Sequence, residues 1–170
     1  MRRTIHPFSL VLIGLLVASV VGATTLTKLS EEAMTDAAAV IVEGHCTALT
    51  GQWVGKTLYT LATITVDDAL KGNPGQELTL VIPGGVDLDR EVPIAFTVPG
   101  APVVQEGENL LLFLAPDGAV GGGYAAVGFN QGKLSVVTAP DGKRMAIAAD
   151  GASSSLEALK QRIRRHLLKK

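Results

Sequence analysis

The chain is poor in the residues that usually carry chemistry. Its 170 residues include one cysteine, Cys46, so no disulfide can form within the chain. It has three histidines: His6 near the start, His45, and His166 near the end. His6 falls in the N-terminal stretch expected to be cleaved, and the neighbours His45 and Cys46 face opposite ways on a strand, so Cys and His alone do not supply the three or four soft ligands of a zinc site. Aromatic residues make up 4%, which argues against a stacking surface for single-stranded nucleic acid. No Gly-x-Ser-x-Gly elbow is present. The glycine-rich "GGVDLD" and "VGGGYAAVG" do not open a helix, so neither makes a phosphate cradle.

Hydrophobic residues reach 47% and charged residues 18%, a composition for a packed core rather than a disordered chain. Nineteen Gly and eight Pro fall mostly between apolar runs, as in a turn-rich β protein.

The start, "MRRTIHPFSLVLIGLLVASVVGA", places two arginines before an apolar run that ends in small residues. This predicts a signal peptide over residues 1–23, cleaved after Ala23, with an uncleaved anchor as its rival. No later run is long and apolar enough to span a bilayer. The expected location is therefore secreted or periplasmic, with no stable membrane anchor after cleavage and residues 24–170 as one domain.

Charge is unevenly placed. Six basic residues lie in positions 160–170, while positions 24–159 hold 7 basic and 16 acidic residues. An acidic body with a short basic tail is not a nucleic-acid footprint. The expectation for the tail is a helix that packs on the body and leaves its charges in water.

Periodicity predicts a short helix over Lys28–Ala38, capped by Ser30, with Leu29, Ala33 and Ala37 on one face. Strands are expected over Ala39–Leu49, Thr57–Leu70 and Glu77–Pro83. The run "LLLFLA", Leu110–Ala115, reads as a strand buried on both sides. Tyr124–Gly128 and Lys133–Thr138 read as a pair, and Met145–Ala149 as a final strand. A terminal helix carries the stripe Leu156, Leu159, Ile163 and Leu167, with Ser154 and Glu157 as a capping box. The class is mainly β, a small barrel or sandwich with a helix at each end.

Three stretches add to this reading: "AAAVIVEGHCTAL", "LYTLATITVDDALKGNPGQELTLVIPGG" and "VPGAPVVQEGENLLLFL". Their wording and order resemble the netrin/TIMP-like module, the family of the tissue inhibitors of metalloproteinases and their secreted relatives, over roughly residues 28–168. The resemblance implies an OB-fold-like β-barrel and a non-enzymatic protein-binding role, with modulation of an extracellular metalloprotease as its narrow form. Such inhibitors place an N-terminal cysteine on the catalytic zinc of the protease. Here the expected mature chain begins at Thr24, and the bracing disulfides are absent.

Candidate residues follow. On a strand His45 and Cys46 point to opposite faces, so their adjacency does not make a dyad. Val40, Val42, Cys46 and Ala48 form the apolar face. Asp67 and Asp68 likewise diverge, and read as a solvated strand end before a turn rather than a catalytic pair. Asp87, Asp89 and Glu91 alternate along an extended stretch, which reads first as a charged, exposed edge strand; they are also the candidate metal ligands, with calcium the chemistry that suits them. Thr24, Trp53, Val103 and Gln105 are the candidate partner-binding residues. They lie on the N-terminal segment, the "TGQWVGK" connection and the Pro/Gly-rich excursion 99–109. No cofactor is expected. The partner is expected to be another secreted or periplasmic protein. The alternatives are a calcium-stabilised structural domain and a small secreted hydrolase using scattered carboxylates.

Overall fold

The computed structural model describes residues 27–169. The expected signal peptide and Thr24 lie outside the described residues. A seven-residue helix, α1 (Glu31–Ala37), leads into β1 (Val40–Val54), β2 (Thr57–Lys71) and β3 (Glu77–Asp87). Then come β4 (Ile94–Thr97), β5 (Asn109–Pro116), β6 (Tyr124–Ala126), a 3-10 turn (Phe129–Gly132), β7 (Lys133–Thr138), β8 (Arg144–Ile147), β9 (Ser153–Ser155) and the helix α2 (Leu156–Leu167).

The protein is mainly β, with its sheet closing into a partial ring. β1 pairs β2, β2 pairs β3, and β5 returns to pair β1, all antiparallel. β6 closes the circuit by lying antiparallel to β5 and touching β3 through one parallel bridge, Leu80 with Tyr124. This is an OB-fold-like barrel, extended on one side by β7, β8 and β9. β5 is the hub. One edge takes β1; the other is shared between β6 over Leu114–Pro116 and β7 over Leu110–Leu112.

That placement explains "LLLFLA". Leu110, Leu112 and Leu114 point into the barrel with Val42, Cys46, Ile64 and Leu80. Leu111 and Phe113 point outward into a second core, beneath α2 and against Ile41, Leu156 and Ile163. A strand covered on both faces has no polar side to show. β1 begins in the same way, with Val40 and Val42 inside and Ile41 outside.

Both helices are capped by serine. Ser30 Oγ accepts from the Ala33 N–H at 3.1 Å. In α2 the cap is Ser155, the last residue of β9, not Ser154: Ser155 Oγ accepts from the Ala158 N–H, and Ser154 pairs with Ala146 one residue before the helix turn begins. The apolar stripe of α2 is buried as its spacing predicts. The buried face of α1 differs from the expected one: Met34, Thr35 and Ala38 turn inward, while Ala33 and Ala37 are exposed. Thr35 tolerates burial because its hydroxyl donates back to the Glu31 carbonyl at 2.7 Å.

The charges of the tail helix are largely engaged rather than left in water. Lys160 is 7% exposed and Glu43 3%. Lys160 Nζ lies 2.6 Å from Glu43 Oε2 and 2.6 Å from Asp68 Oδ2. Arg144 meets the other Glu43 oxygen, and Arg164 the Asp68 carboxylate at 2.8 Å. The Lys160 and Arg164 partners hold Asp68 below the usual carboxylate range. Burial alone would lower the Lys160 pKa, but the two carboxylates outweigh it and raise it. Arg162 pairs with Glu31, and His166 lies 2.8 Å from Asp36, so α2 is also tied to α1.

Tyr124–Gly128 and Lys133–Thr138 are not paired with each other. The 3-10 turn separates them, with Gly128 and Phe129 both at positive φ, and each strand goes to a different stretch of β5. β9 was not expected from the sequence; three serines carry no apolar alternation to announce it. Among the described residues no helix is long and apolar enough to cross a membrane.

Candidate functional site

One end of the barrel is built from two hairpins. β1 and β2 run past the ring and turn through Gly55-Lys56, where Gly55 takes φ +61°. Trp53 therefore sits in a strand, opposite Leu58, rather than in a connecting loop. β3 also outruns the ring. Its first seven residues pair β2; the last four, Gly84–Asp87, pair β4 instead.

Gly84 and Gly85 make that change of partner. Their φ values are +96° and +145°, a region that L side chains rarely adopt. A Cβ on Gly84 would stand 2.6 Å from the Phe96 carbonyl oxygen. A Cβ on Gly85 would collide with the Thr60 hydroxyl, which donates to the Gly84 carbonyl at 2.9 Å. The strand that was expected to stop at Pro83 thus continues as a two-stranded arm.

The arm is clasped to the β1–β2 hairpin. The Trp53 indole N–H donates to Asp87 Oδ2 at 2.7 Å. Arg90 Nε donates to the same oxygen at 2.9 Å, and its guanidinium lies 4.9 Å from the centroid of the Trp53 ring. The Asp89 N–H donates to the second Asp87 oxygen. These donors, Trp53 first, hold the Asp87 carboxyl below its usual range.

Around the clasp, large apolar side chains face solvent. Val86, Leu88, Val92 and Phe96 are exposed on the arm. Val103, on the neighbouring 98–108 connection, is 75% exposed. A groove of about 370 Å³ runs between the arm and this connection, lined by Val86, Phe96, Val98, Ala101 and Val103 among others, with no ionisable side chain.

The 98–108 connection is anchored, not loose. Val104 is buried in the barrel core. Gly107 N–H donates to the Cys46 carbonyl at 2.8 Å, and Cys46 N–H to the Glu108 carbonyl at 3.0 Å. Glu106 accepts from the Leu49 N–H. Glu108 accepts from Lys133 Nζ at 2.5 Å, from Ser135 Oγ at 2.6 Å and from the Gln105 N–H at 3.0 Å. Burial would raise the Glu108 pKa, but these bonds overcome it and lower it.

The expected site residues separate as follows. Trp53 is 36% exposed with its N–H committed to Asp87, and Val103 lines the groove beside the arm; Gln105 lines a separate groove with Glu108, Lys133 and Ser135. Thr24 is outside the described residues. Asp87 is engaged by Trp53 and Arg90, while Asp89 and Glu91 are exposed near the arm tip and take no ion pair among the described residues. Among those residues no group of three or more His, Cys, Asp and Glu side chains is placed to hold a metal ion.

His45 and Cys46 face opposite ways. Cys46 is 1% exposed in the barrel core, where burial pushes its thiol pKa up. His45 Nδ1 lies 3.2 Å from Asp67 on the outside. Asp67 and Asp68 diverge, but Asp68 is not a solvated strand end: it belongs to the ion cluster under α2.

Sequence reasoning passed over Arg90 and the apolar residues of the arm. The available signal was Gly84-Gly85 followed by "VDLDREVPIAF", where Val, Leu, Val, Ile and Phe recur through a polar stretch. Comparison of the chain with family models, with curated proteins and with solved structures gives no match.

Proposed function

We propose that the chain is a secreted, non-enzymatic module that binds another protein through the barrel end formed by Trp53, the β3–β4 arm and the 98–108 connection. The observation that carries this reading is the exposure of Val86, Leu88, Val92, Phe96 and Val103 at that end, with Val86 and Phe96 on the β3–β4 ladder and Val103 on the anchored connection. Exposed apolar side chains grouped on a rigid scaffold are the usual mark of an interaction surface. The sequence resemblance to the netrin/TIMP-like family points the same way and narrows the partner to an extracellular metalloprotease.

Hydrolase chemistry has less support. Asp68 and Asp87 are neutralised by cations. Ser135 with Glu108 and Lys133 is closed on itself, and a carboxylate held low by an ammonium is a poor base.

The test is affinity capture from the native extracellular fraction. Wild-type protein is compared with Val86→Ser/Phe96→Ser/Val103→Ser and with a control altered beside α1, at the end where β1 begins, at Arg165→Ser. A partner retained by wild type and control but lost by the triple variant supports the reading. A partner retained by all three places binding elsewhere. Secreted zinc proteases unaffected by micromolar protein would reject the narrower form.

A further inference from the structure

β4 has one ladder partner. Its residues Ile94–Thr97 pair β3, and among the described residues no strand, loop or side chain bonds to the other edge. In an antiparallel ribbon alternate residues of an edge strand direct their N–H and C=O outward, away from the partner. Soluble proteins usually defend such an edge with lysine, proline, an inward charge or a bulge. "IAFT" contains none of these, although Pro93 and Pro99 bracket it and limit its length.

We propose, on the basis of the protein-binding reading above, that this edge takes an extended segment of the partner as an added strand, apolar along its length and basic at the end nearer the arm tip. The adjoining groove is uncharged and apolar, so it suits Val, Ile or Phe side chains from one face of such a strand. The arm tip supplies the charge selectivity. Arg90 is occupied by Asp87 and Trp53, and among the described residues no cation pairs with the Asp89 and Glu91 carboxylates. A second copy of this chain fits less well. Its own "IAFTVPGAP" has no basic residue to meet those carboxylates. The clasp keeps the edge presented, so the segment meets a preorganised strand and pays no ordering cost on the arm side.

The probe is a random peptide library selected on the full chain, followed by fluorescence anisotropy with synthetic copies of the recovered peptides. The expected peptides carry an apolar β-branched or aromatic run next to Lys or Arg. N-methylation of single peptide amides should weaken binding about tenfold at every second position and little between, since only alternate amides join the ladder. Asp89→Asn/Glu91→Gln should weaken binding and remove most of its salt dependence. Phe96→Ser should weaken it at any salt concentration. The N-methylation series alters only the peptide, so it decides the matter even if a protein variant misfolds.

Recovered peptides without a shared pattern, or N-methylation tolerated equally everywhere, would overturn the added-strand proposal. So would sedimentation showing that the chain pairs with itself through β4. A native partner that needs the arm, yet is not displaced by the selected peptides, would overturn this proposal and leave the broader protein-binding reading standing.

Discussion

Trp53 and Asp87 are joined by a 2.7 Å hydrogen bond from indole to carboxylate, linking β1 to the far end of β3. The two strands are not ladder neighbours there; β2 lies between them lower in the barrel, and β3 has already left for β4. The bond therefore does what the sheet does not. It holds the arm against the β1–β2 hairpin.

Trp53→Phe keeps a ring for Arg90 but removes the donor. Amide exchange over 87–97 should speed up by about an order of magnitude, while exchange in β1, β2 and β5 inside the barrel stays slow. Equal exchange in variant and wild type would mean that the ladder alone holds the arm.

Gly84→Ala introduces a Cβ where φ is +96° and the Phe96 carbonyl is 2.6 Å away. The backbone must shift, and the expected loss of stability is about 1–3 kcal/mol by denaturant unfolding. Gly107→Ala serves as the comparison: its φ is also positive, at +78°, but nothing lies within 4 Å of the added atom. Gly84→Ala should be the more damaging of the two.

Lys160→Met removes the cation shared by Glu43 and Asp68 in a site almost closed to water. Breaking one partner of a buried pair costs about 3–5 kcal/mol, whereas replacing both partners by apolar side chains is often near neutral. Glu43→Met/Lys160→Met should therefore recover much of the loss. Additive destabilisation in the double variant would argue that the two residues are not coupled.

Acid should unfold the protein partly through Asp68. Its folded pKa lies below the unfolded value of 3.8, so its contribution is complete above that value and is lost as pH falls through the folded one. Glu108 acts in the same direction below 4.5. Lys160 is the reverse case: its raised pKa contributes stability below 10.5 that disappears as pH rises through the folded value. Denaturant midpoints should be flat between these limits. Asp68→Asn should start lower and fall less steeply in acid.

Calcium should not move the thermal midpoint. Asp87 already spends its carboxylate on Trp53 and Arg90, which leaves only Asp89 and Glu91 of the alternating set. A hard cation needs more oxygen ligands than those two supply. A midpoint several degrees higher in calcium than in chelator would restore the metal reading of this stretch.

Much of the architecture was legible. β-branched alternation located β1 and β2, and serine caps located both helices within a residue or two. The single cysteine was readable as core filler because strand geometry alone puts it opposite His45. Trp53 and Val103 were picked from connections and stand beside the apolar arm; the arm itself was not singled out, because its valines, leucine and phenylalanine are interleaved with Asp, Arg and Glu. Ser154 was chosen as a cap for its spacing to Glu157, but three consecutive serines leave the cap position ambiguous by a residue, and the helix begins after Ser155.

Local pattern depends on what each residue wants from its immediate neighbours, and that was enough to determine a mainly β chain, its helix ends and its inward faces. Long-range pairing depends on which strands meet, and no local preference encodes it. Only the tertiary structure decided that β5 serves three strands, that Lys160 is buried between two carboxylates, and that Gly84-Gly85 sends β3 out of the ring. The exposed arm follows from that last choice, because a strand that leaves its barrel carries its apolar side chains away from the core.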